Sequence, residues 1–200
     1  MVTAPVELRE ELAGLNARRL VDRCCSFRPG RRAKATAAAK YALRLLARRH
    51  SQLTSEIEGV DKELVRLTAE TAPALVHAFG IGPDTAATLL VTAGSNPERL
   101  RSEPAFAALC GVNPIPASSG KTDRHRLNRG GDRQANAALY RVVLVRLRYD
   151  ERTREYMRRR TREGMTKPEI IRCLKRYVAR QVFAVLREMG RKNLALPAAV

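Results

Sequence analysis

Two adjacent serines stand in a loop that is followed by a row of cations. The serines are Ser118 and Ser119, in the segment that runs from Pro114 to Leu139. The cations are Lys121, Arg124, Arg126, Arg129 and Arg133. A serine oxygen among guanidinium groups suits a phosphodiester, because the cations hold phosphate oxygens and offset the charge that grows during attack. The pattern therefore indicates phosphoryl-transfer chemistry on nucleic acid, or at least a phosphate-binding loop.

Ordinary turn chemistry is the alternative explanation of this loop, because serine hydroxyls often bond to nearby backbone groups in turns. The loop offers no obvious base or metal cage beside the serines. Its carboxylates are Asp123 and Asp132, and Asp132 is placed to cap a helix that begins at Arg133. The sequence therefore predicts a serine and cations, with no metal site in this chain.

The net charge of +18 is the dominant bulk property of the chain. From Lys121 to Arg180 there are 19 Lys and Arg residues against 7 Asp and Glu residues, so this stretch alone carries +12. Such a chain requires a polyanion or a strongly acidic protein as its partner. Aromatic residues are scarce and Trp is absent, which argues against base stacking as the main nucleic-acid contact. A generally basic proteome would explain some of this charge but not its clustering.

A second phosphate-binding element is predicted in the segment 75–90. One helix would end at Gly80, and Ile81 would enter the core. Gly82 would turn the chain before Pro83 opens the next helix. A helix-hairpin-helix of this form presents backbone N–H groups at a helix N-terminus, where they bind phosphate without reading sequence. The alternative is an ordinary tight corner between two helices.

A long helix is predicted from Ala33 onward by residues that alternate in steps of three and four. These residues, which we call the seam, are Leu43, Leu46, His50, Leu53, Ile57, Val60, Leu64 and Leu67. The seam fits a heptad repeat over more than three heptads, so we predict a coiled coil with another copy or another segment. The alternative is a long helix packed within its own domain. A polar seam residue such as His50 more often fixes register than binds a ligand.

The rest of the chain also shows helical periodicity. Helices are predicted over Glu7–Cys25, from Arg133 to about Tyr149, over Glu151–Glu163 and from Lys167 onward. No segment shows convincing strand alternation, so the expected fold class is all-α, a long coiled-coil-like helix followed by a compact multi-helix domain that contains the helix-hairpin-helix. The expected divisions are a helical linker at 1–70, the helix-hairpin-helix domain at 71–190 and a frayed tail at 191–200.

The cysteines and the N-terminus indicate a cellular compartment. Cys24, Cys25, Cys110 and Cys173 match no zinc-binding spacing, so we expect reduced and mostly buried thiols. No apolar run approaches transmembrane length, and the N-terminus lacks the basic and apolar regions of a secretory signal. We therefore expect no membrane partner and a cytoplasmic, nucleoid-associated protein.

Four motifs carry a resemblance to a known family. They are Gly80-Ile81-Gly82-Pro83-Asp84-Thr85-Ala86, Phe106-Ala107-Ala108-Leu109-Cys110-Gly111, Ser118-Ser119-Gly120-Lys121 and Arg129-Gly130-Gly131-Asp132-Arg133. In order and spacing they resemble the C-terminal part of transposases of the insertion-sequence-110 group (IS-110/116/902), the bridge-RNA-guided serine transposases. The resemblance extends from Ala33 through Leu186 and is weaker before it.

The resemblance implies a DNA transposase, which is a phosphoryl-transfer enzyme. Members have an N-terminal RuvC-like domain with four metal-binding carboxylates, a coiled-coil linker and a C-terminal domain with a catalytic serine. That serine attacks DNA and forms a covalent phosphoserine link during strand exchange; it maps onto Ser119, with Ser118 as the nearest alternative. The residues expected to bind nucleic acid are Gly80, Gly82, Lys121, Arg124, Arg126, Arg129 and Arg133. Members work as dimers or tetramers with an RNA that pairs with donor and target DNA.

The chain departs from the family pattern because it contains no RuvC-like domain. We therefore expect a fragment, half of a split enzyme or a degenerate enzyme, inactive alone. The expected partners are DNA, the guide RNA of the resemblance and a further copy through the coiled coil. No cofactor is expected in this chain. Mg²⁺ is expected only together with the missing RuvC-like domain. The alternatives are a non-catalytic helix-hairpin-helix module that binds DNA or RNA, and a coiled-coil interaction protein whose charge is incidental.

Overall fold

The computed structural model describes residues 4–28, 30, 35–94, 100–117 and 125–195. Within them the chain forms nine helices and one antiparallel pair of two-residue strands. In chain order these are α1 (Val6–Leu12), α2 (Ala17–Cys25), α3 (Ala35–Thr71), α4 (Pro73–Val76), α5 (Pro83–Ala93), α6 (Glu103–Leu109), β1 (Ile115–Pro116), β2 (His125–Arg126), α7 (Arg133–Tyr149), α8 (Glu151–Arg162) and α9 (Lys167–Ala195). The predicted all-α class is confirmed, and the strand pair is a small addition to it. No helix among these residues is both long and apolar enough to cross a membrane.

The chain divides into two compact units, Met1–Glu63 and Leu64–Val200. This division falls inside α3. The predicted linker boundary at 70 lies one residue before the end of the same helix, and α9 continues to Ala195, into the segment expected to fray. The predicted domain limits therefore stay a prediction.

The first unit encloses a small apolar core of Leu8, Leu12, Cys24, Phe27 and Ala47. The single helix predicted over Glu7–Cys25 is wrong, because the chain forms α1 and α2 with a break between them. Gly14 adopts a φ of 72°, a conformation that favours glycine. Asn16 then caps α2, its Oδ1 accepting a hydrogen bond of 3.0 Å from the Arg19 amide. The positive φ of Gly14 and the Asn16 cap therefore break the helix, although the apolar periodicity continues across the break.

Helix α3 leaves most of the seam in solvent. Leu43 is half-buried and packs on the core of the first unit. Farther along, Ile57 and Val60 are 59% and 66% exposed, and Leu46, Leu53 and Leu67 are exposed as well. Apolar residues at heptad spacing on an exposed helix face are typical of a surface that another helix covers. The coiled coil stays a prediction.

The core of the second unit is built around α7 and α9. On α7 the side chains of Ala138, Leu139 and Val142 are fully buried. On α9 Ile170 is fully buried, and Phe183 contacts Phe106 of α6 with ring centroids 6.2 Å apart. Burial of this continuous apolar face is the main favourable term that holds the helices together. The polar faces of α7 and α9 are left to form a surface.

Helices α4 and α5 flank the segment predicted to form the hairpin, and the first of them is shorter than predicted. Helix α4 ends at Val76, and turns fill 77–80. Bonds of the turn type, such as that of 3.0 Å from the Ile81 amide to the Ala78 carbonyl, replace helical ones. Gly80 has a φ of 83°, and Pro83 occupies the first turn of α5 as expected. Ile81 is buried in the core, as predicted.

Candidate nucleic-acid interface

Strands β1 and β2 bring together the two ends of the serine loop. They pair antiparallel, with Ile115 opposite Arg126 and Pro116 opposite His125. The intervening residues 118–124 lie outside the described part of the chain, and with them the predicted site residues Ser118, Ser119, Lys121 and Arg124. What the structure gives is therefore the base from which this loop starts and to which it returns.

The base of the loop is held where α6 ends and α7 begins. Gly111 ends the α6 segment with a φ of 64°. Gly131 lies against it, and the Asp132 amide donates to the Leu109 carbonyl at 2.7 Å. Asp132 caps α7 as predicted, its Oδ1 accepting from the amides of Gln134 at 2.7 Å and Ala135 at 2.9 Å. The two helix ends are thus joined by backbone contact.

Two asparagines reinforce this junction with side-chain hydrogen bonds. Asn128 Nδ2 donates to the Ala108 carbonyl at 3.3 Å and to Asn113 Oδ1 at 2.6 Å. Asn136 Nδ2 donates to the carbonyls of Cys110 at 2.9 Å and Gly111 at 3.0 Å. Both carbonyls lie just beyond the last residue of α6, so Asn136 gives a hydrogen-bond partner to the turn that ends this helix. Both asparagines tie the residues after the loop to the residues before it.

A groove of about 1420 Å³ opens beside this junction. Its walls come from the segment 111–114, from 125–131 including β2, and from the polar faces of α7 and α9. It is larger than the typical small-molecule pocket of roughly 300–1,000 Å³. The basic residues that line it are Arg126, Arg129, Arg133, Arg172, Lys175, Arg176 and Arg180, against the single carboxylate Glu169 among the lining residues that the structure describes. We call this surface the basic groove.

The structure gathers only some of the predicted site residues here. Arg126, Arg129 and Arg133 line the basic groove, whereas Gly80 and Gly82 lie elsewhere, at the start of α5. Sequence reasoning missed the four cations that α9 contributes. Their signal was visible as spacing, because residues 172, 176 and 180 follow one another at four-residue intervals on the face opposite the apolar one. The packing of α9 on α7 could not be read from that spacing.

Like charges in the basic groove are partly desolvated. Burial and the neighbouring Arg172 lower the pKa of the Lys175 ammonium, whose Nζ donates to Asn136 Oδ1 at 2.8 Å. Burial and the neighbouring Arg180 also lower the pKa of Arg176. Glu103 offsets part of this repulsion, since Arg176 donates to it at 2.9 Å. Arg180 also lies 3.8 Å from Glu103, and Arg172 lies 4.0 Å from Glu169. Because the lining cations outnumber these carboxylates, a polyanion in the groove would supply further counter-charge.

The glycines at the start of α5 have a structural explanation of their own. A Cβ at Gly80 would lie 3.4 Å from Arg146 Cγ, and Arg146 Nε donates to the Phe79 carbonyl at 2.9 Å. No side chain caps α5 at Gly82, so the first amides of this helix are free of a side-chain partner, as they must be in a phosphate site. However, its first turn carries the exposed Asp84, which pairs with Arg141 at 3.0 Å. A negative charge in the first turn of α5 would repel a phosphate bound at its N-terminus. Phosphate binding by Gly80 and Gly82 stays a prediction.

Comparisons with known proteins point to one family for the segment that contains much of this groove. Residues 72–158, which include the hairpin segment, the strand pair and α7, match the family described as Transposase IS116/IS110/IS902 family. The chain is also 31% identical over 131 residues to a protein of Streptomyces coelicolor described as Insertion element IS110 uncharacterized 43.6 kDa protein. The match covers 64% of this chain and 32% of that relative. The chain therefore spans about a third of the length of the relative it matches.

Proposed function

Because residues 72–158 match the IS116/IS110/IS902 transposase family, we propose that the chain is part of such a transposase, that it binds DNA in the basic groove and that it supplies the serine nucleophile for strand cleavage and exchange. The observation that carries this proposal is the position of the groove. Seven Lys and Arg side chains line it, and they surround the base of the loop that holds Ser118 and Ser119. Cations concentrated beside a nucleophile suit a reaction that builds negative charge on phosphate oxygens.

In the proposed reaction the Ser119 oxygen attacks a DNA phosphorus, with Ser118 as the alternative nucleophile. An O–P bond forms to the serine, the bond from phosphorus to a deoxyribose oxygen breaks, and that oxygen takes up a proton. Arg126, Arg129 and Arg133 hold the non-bridging phosphate oxygens, and Lys121 and Arg124 on the loop are proposed to do the same. The attack on the phosphoserine by a second strand's hydroxyl reverses these steps and completes the exchange.

The base and the metal are proposed to come from outside this chain. The family resemblance implies Mg²⁺ bound by a RuvC-like domain. The described residues hold no group of three His, Cys, Asp or Glu side chains placed to bind a metal ion. They do not fit Mg²⁺, and we assign it no step here. A guide RNA and association with another copy through the seam of α3 are further parts of the proposal.

A non-catalytic role in DNA binding is the second candidate. It is favoured by the fact that cations of β2, α7 and α9 line the basic groove, so that the groove can hold phosphates without the loop. A covalent link between protein and DNA distinguishes the two candidates, because a binding module forms none.

Salt-dependent binding tests the groove. The affinity of the chain for a short DNA duplex is measured by fluorescence anisotropy across a salt series. The logarithm of the association constant should fall linearly with the logarithm of salt concentration, by about 0.9 per phosphate contact. Arg133→Ala should lower the affinity and reduce this slope by about 1. Arg162→Ala is the control, since Arg162 is exposed on α8 and does not line the groove. A flat plot, or equal losses in the two variants, would contradict binding in the groove.

A further inference from the structure

Two tyrosines stand among the cations of the basic groove. Tyr140 lies on α7 and Tyr177 on α9; both line the groove, and they are 41% and 45% exposed. Among the residues that the structure describes, they are two of the four exposed aromatic side chains, the others being Phe79 and Tyr149. A groove that contacted DNA only through phosphates would need the cations but not the rings.

Tyr140 is placed in the groove by its position on α7, whereas Tyr177 is also held by contacts to its ring. Tyr140 lies one helical turn after Asn136 and two turns after Arg133. All three residues therefore lie on one face of α7, the face that lines the groove. Tyr177 packs edge-on against Tyr156, with centroids 5.6 Å apart and planes at 89°. The Arg180 guanidinium also lies 5.8 Å from the Tyr177 ring centroid. A ring fixed in this way loses little conformational freedom when a further planar group stacks beside it.

We propose that the basic groove takes an unpaired DNA strand, whose bases stack on Tyr140 and Tyr177 while its phosphates contact the surrounding arginines. This inference rests on the proposed DNA-binding function and narrows its substrate. In a duplex the base faces are covered by their neighbours, so an aromatic side chain reaches them only where the strand is unpaired. Alternating cations and aromatic rings are the usual means of holding single strands without a sequence code.

The test compares one oligonucleotide as a single strand and as a duplex with its complement. The wild-type chain should bind the single strand more tightly at equal salt, and a 2-aminopurine base in that strand should be quenched on binding, since stacking quenches it. Tyr140→Leu and Tyr177→Leu should each weaken single-strand binding by about fivefold or more, the effect of losing one stacked base. Both should leave duplex binding within about twofold.

Matched variants separate stacking from other effects. Tyr149→Leu is the control on α7, because Tyr149 is 61% exposed but does not line the groove; it should change nothing. Tyr177→Phe keeps the ring and should keep single-strand affinity, which excludes loss of folding as the cause of the Leu effect. Equal loss in Tyr177→Phe and Tyr177→Leu, or in Tyr149→Leu and Tyr140→Leu, would overturn the inference.

The outcomes also separate this inference from the proposed function. Tight duplex binding without single-strand preference overturns the inference and leaves the proposed function standing. Absence of any DNA binding at low salt overturns both. Tighter binding of an RNA strand of the same sequence overturns DNA as the occupant, because the difference would lie in contacts to the 2′-hydroxyl.

Discussion

Gly131 lies directly against the backbone of Gly111, so that a methyl group at residue 131 would overlap the amide nitrogen and the Cα of Gly111. The same methyl group would lie 2.9 Å from the carbonyl carbon of Cys110. Only hydrogen fits between these two stretches of backbone. The contact fixes the distance between the end of α6 and the start of α7, and with it one wall of the basic groove.

Gly131→Ala should therefore destabilise the second unit. The new Cβ meets backbone, which cannot rotate away, and overpacking of this kind costs about 1–3 kcal/mol. The free energy of unfolding can be measured by urea denaturation followed by circular dichroism. DNA affinity should fall in parallel, since the groove is built on this junction.

Gly130→Ala is the matched control for this prediction. A Cβ at Gly130 would meet only Asn128 Oδ1, at 3.4 Å, and neither glycine has a positive φ. The two substitutions therefore differ in the space available and not in backbone strain. Equal stability of the two variants would show that the junction can open without cost.

The second prediction concerns the exposed seam of α3. The wild-type chain should self-associate at roughly tens of micromolar, a range of moderate affinity. Changing Leu53 and Val60 together to Asp should abolish association, because two unpaired charges would enter a dry interface. Sedimentation velocity measures the result.

A control for the seam uses the same spacing on another face. Arg48 and Ser55 are also seven residues apart and exposed, but they lie off the seam. Changing both to Asp places the same two residues, with the same low helix propensity, on α3 but outside the proposed interface. Association should therefore persist. A wild-type chain that stays monomeric across this range would refute the coiled coil between copies.

The third prediction concerns the serine. In a complete enzyme, with a RuvC-like domain supplied in cis or in trans, Ser119→Ala should abolish the covalent protein–DNA adduct and leave DNA affinity nearly unchanged. In the proposed reaction the hydroxyl is the nucleophile, whereas the affinity is expected to come from the cations. Ser118→Ala should be milder, and the chain alone should form no adduct. Adducts are trapped by denaturing electrophoresis with labelled DNA.

Two outcomes would change this assignment. An adduct that persists in Ser119→Ala and disappears in Ser118→Ala moves the nucleophile by one residue. Normal cleavage by both single variants and by the double variant would exclude a serine nucleophile.

The fourth prediction concerns the thiol of Cys110. Burial, together with the nearby Asp132, raises the pKa of this thiol from 9.0 to about 12. Since the thiolate is the reactive form, Cys110 should react with a water-soluble disulfide reagent only when the chain unfolds. The half-buried Cys173 should react faster, and Cys173→Ser should remove a fast phase that Cys110→Ala leaves in place.

The same pKa sets a direction for alkaline stability. The folded state keeps the Cys110 proton where the unfolded state loses it, so the contribution of this thiol is fully present below about pH 9 and is lost as the pH rises toward 12. Cys110→Ala should therefore show a smaller loss of stability across this range than the wild-type chain, measured by urea denaturation at each pH.

Local signals in the sequence were sufficient to predict where α7 and α8 of the second unit begin. Asp132 caps α7 as predicted, and α7 and α8 begin at Arg133 and Glu151, where the sequence placed them. These features depend on residues close in sequence, namely a capping side chain and apolar residues at helical spacing. The family resemblance was likewise visible in contiguous motifs, and it agrees with the match of residues 72–158 to the same family.

The features that sequence reasoning missed depend on residues far apart in the chain. Lys175 reaches Asn136 across 39 positions, and Arg176 reaches Glu103 across 73. These cations face the groove because of the way in which α9 packs on the other helices. A local sequence pattern does not predict that packing. The strands β1 and β2 are only two residues long, too short for alternation to show. Their pairing follows instead from the junction beneath them.

The pairing of Pro116 with His125 also allows the length of the serine loop to change without a change in the fold. Its ends are already held together, so lengthening it adds little closure entropy, only about 0.6 kcal/mol for each doubling of length. Insertions and deletions between the strands are therefore tolerable for folding, whereas residues 111 and 131 admit no such change. Relatives of this protein are free to differ in the length of the segment that carries the serines, and so in the reach of the proposed nucleophile, while keeping the same base.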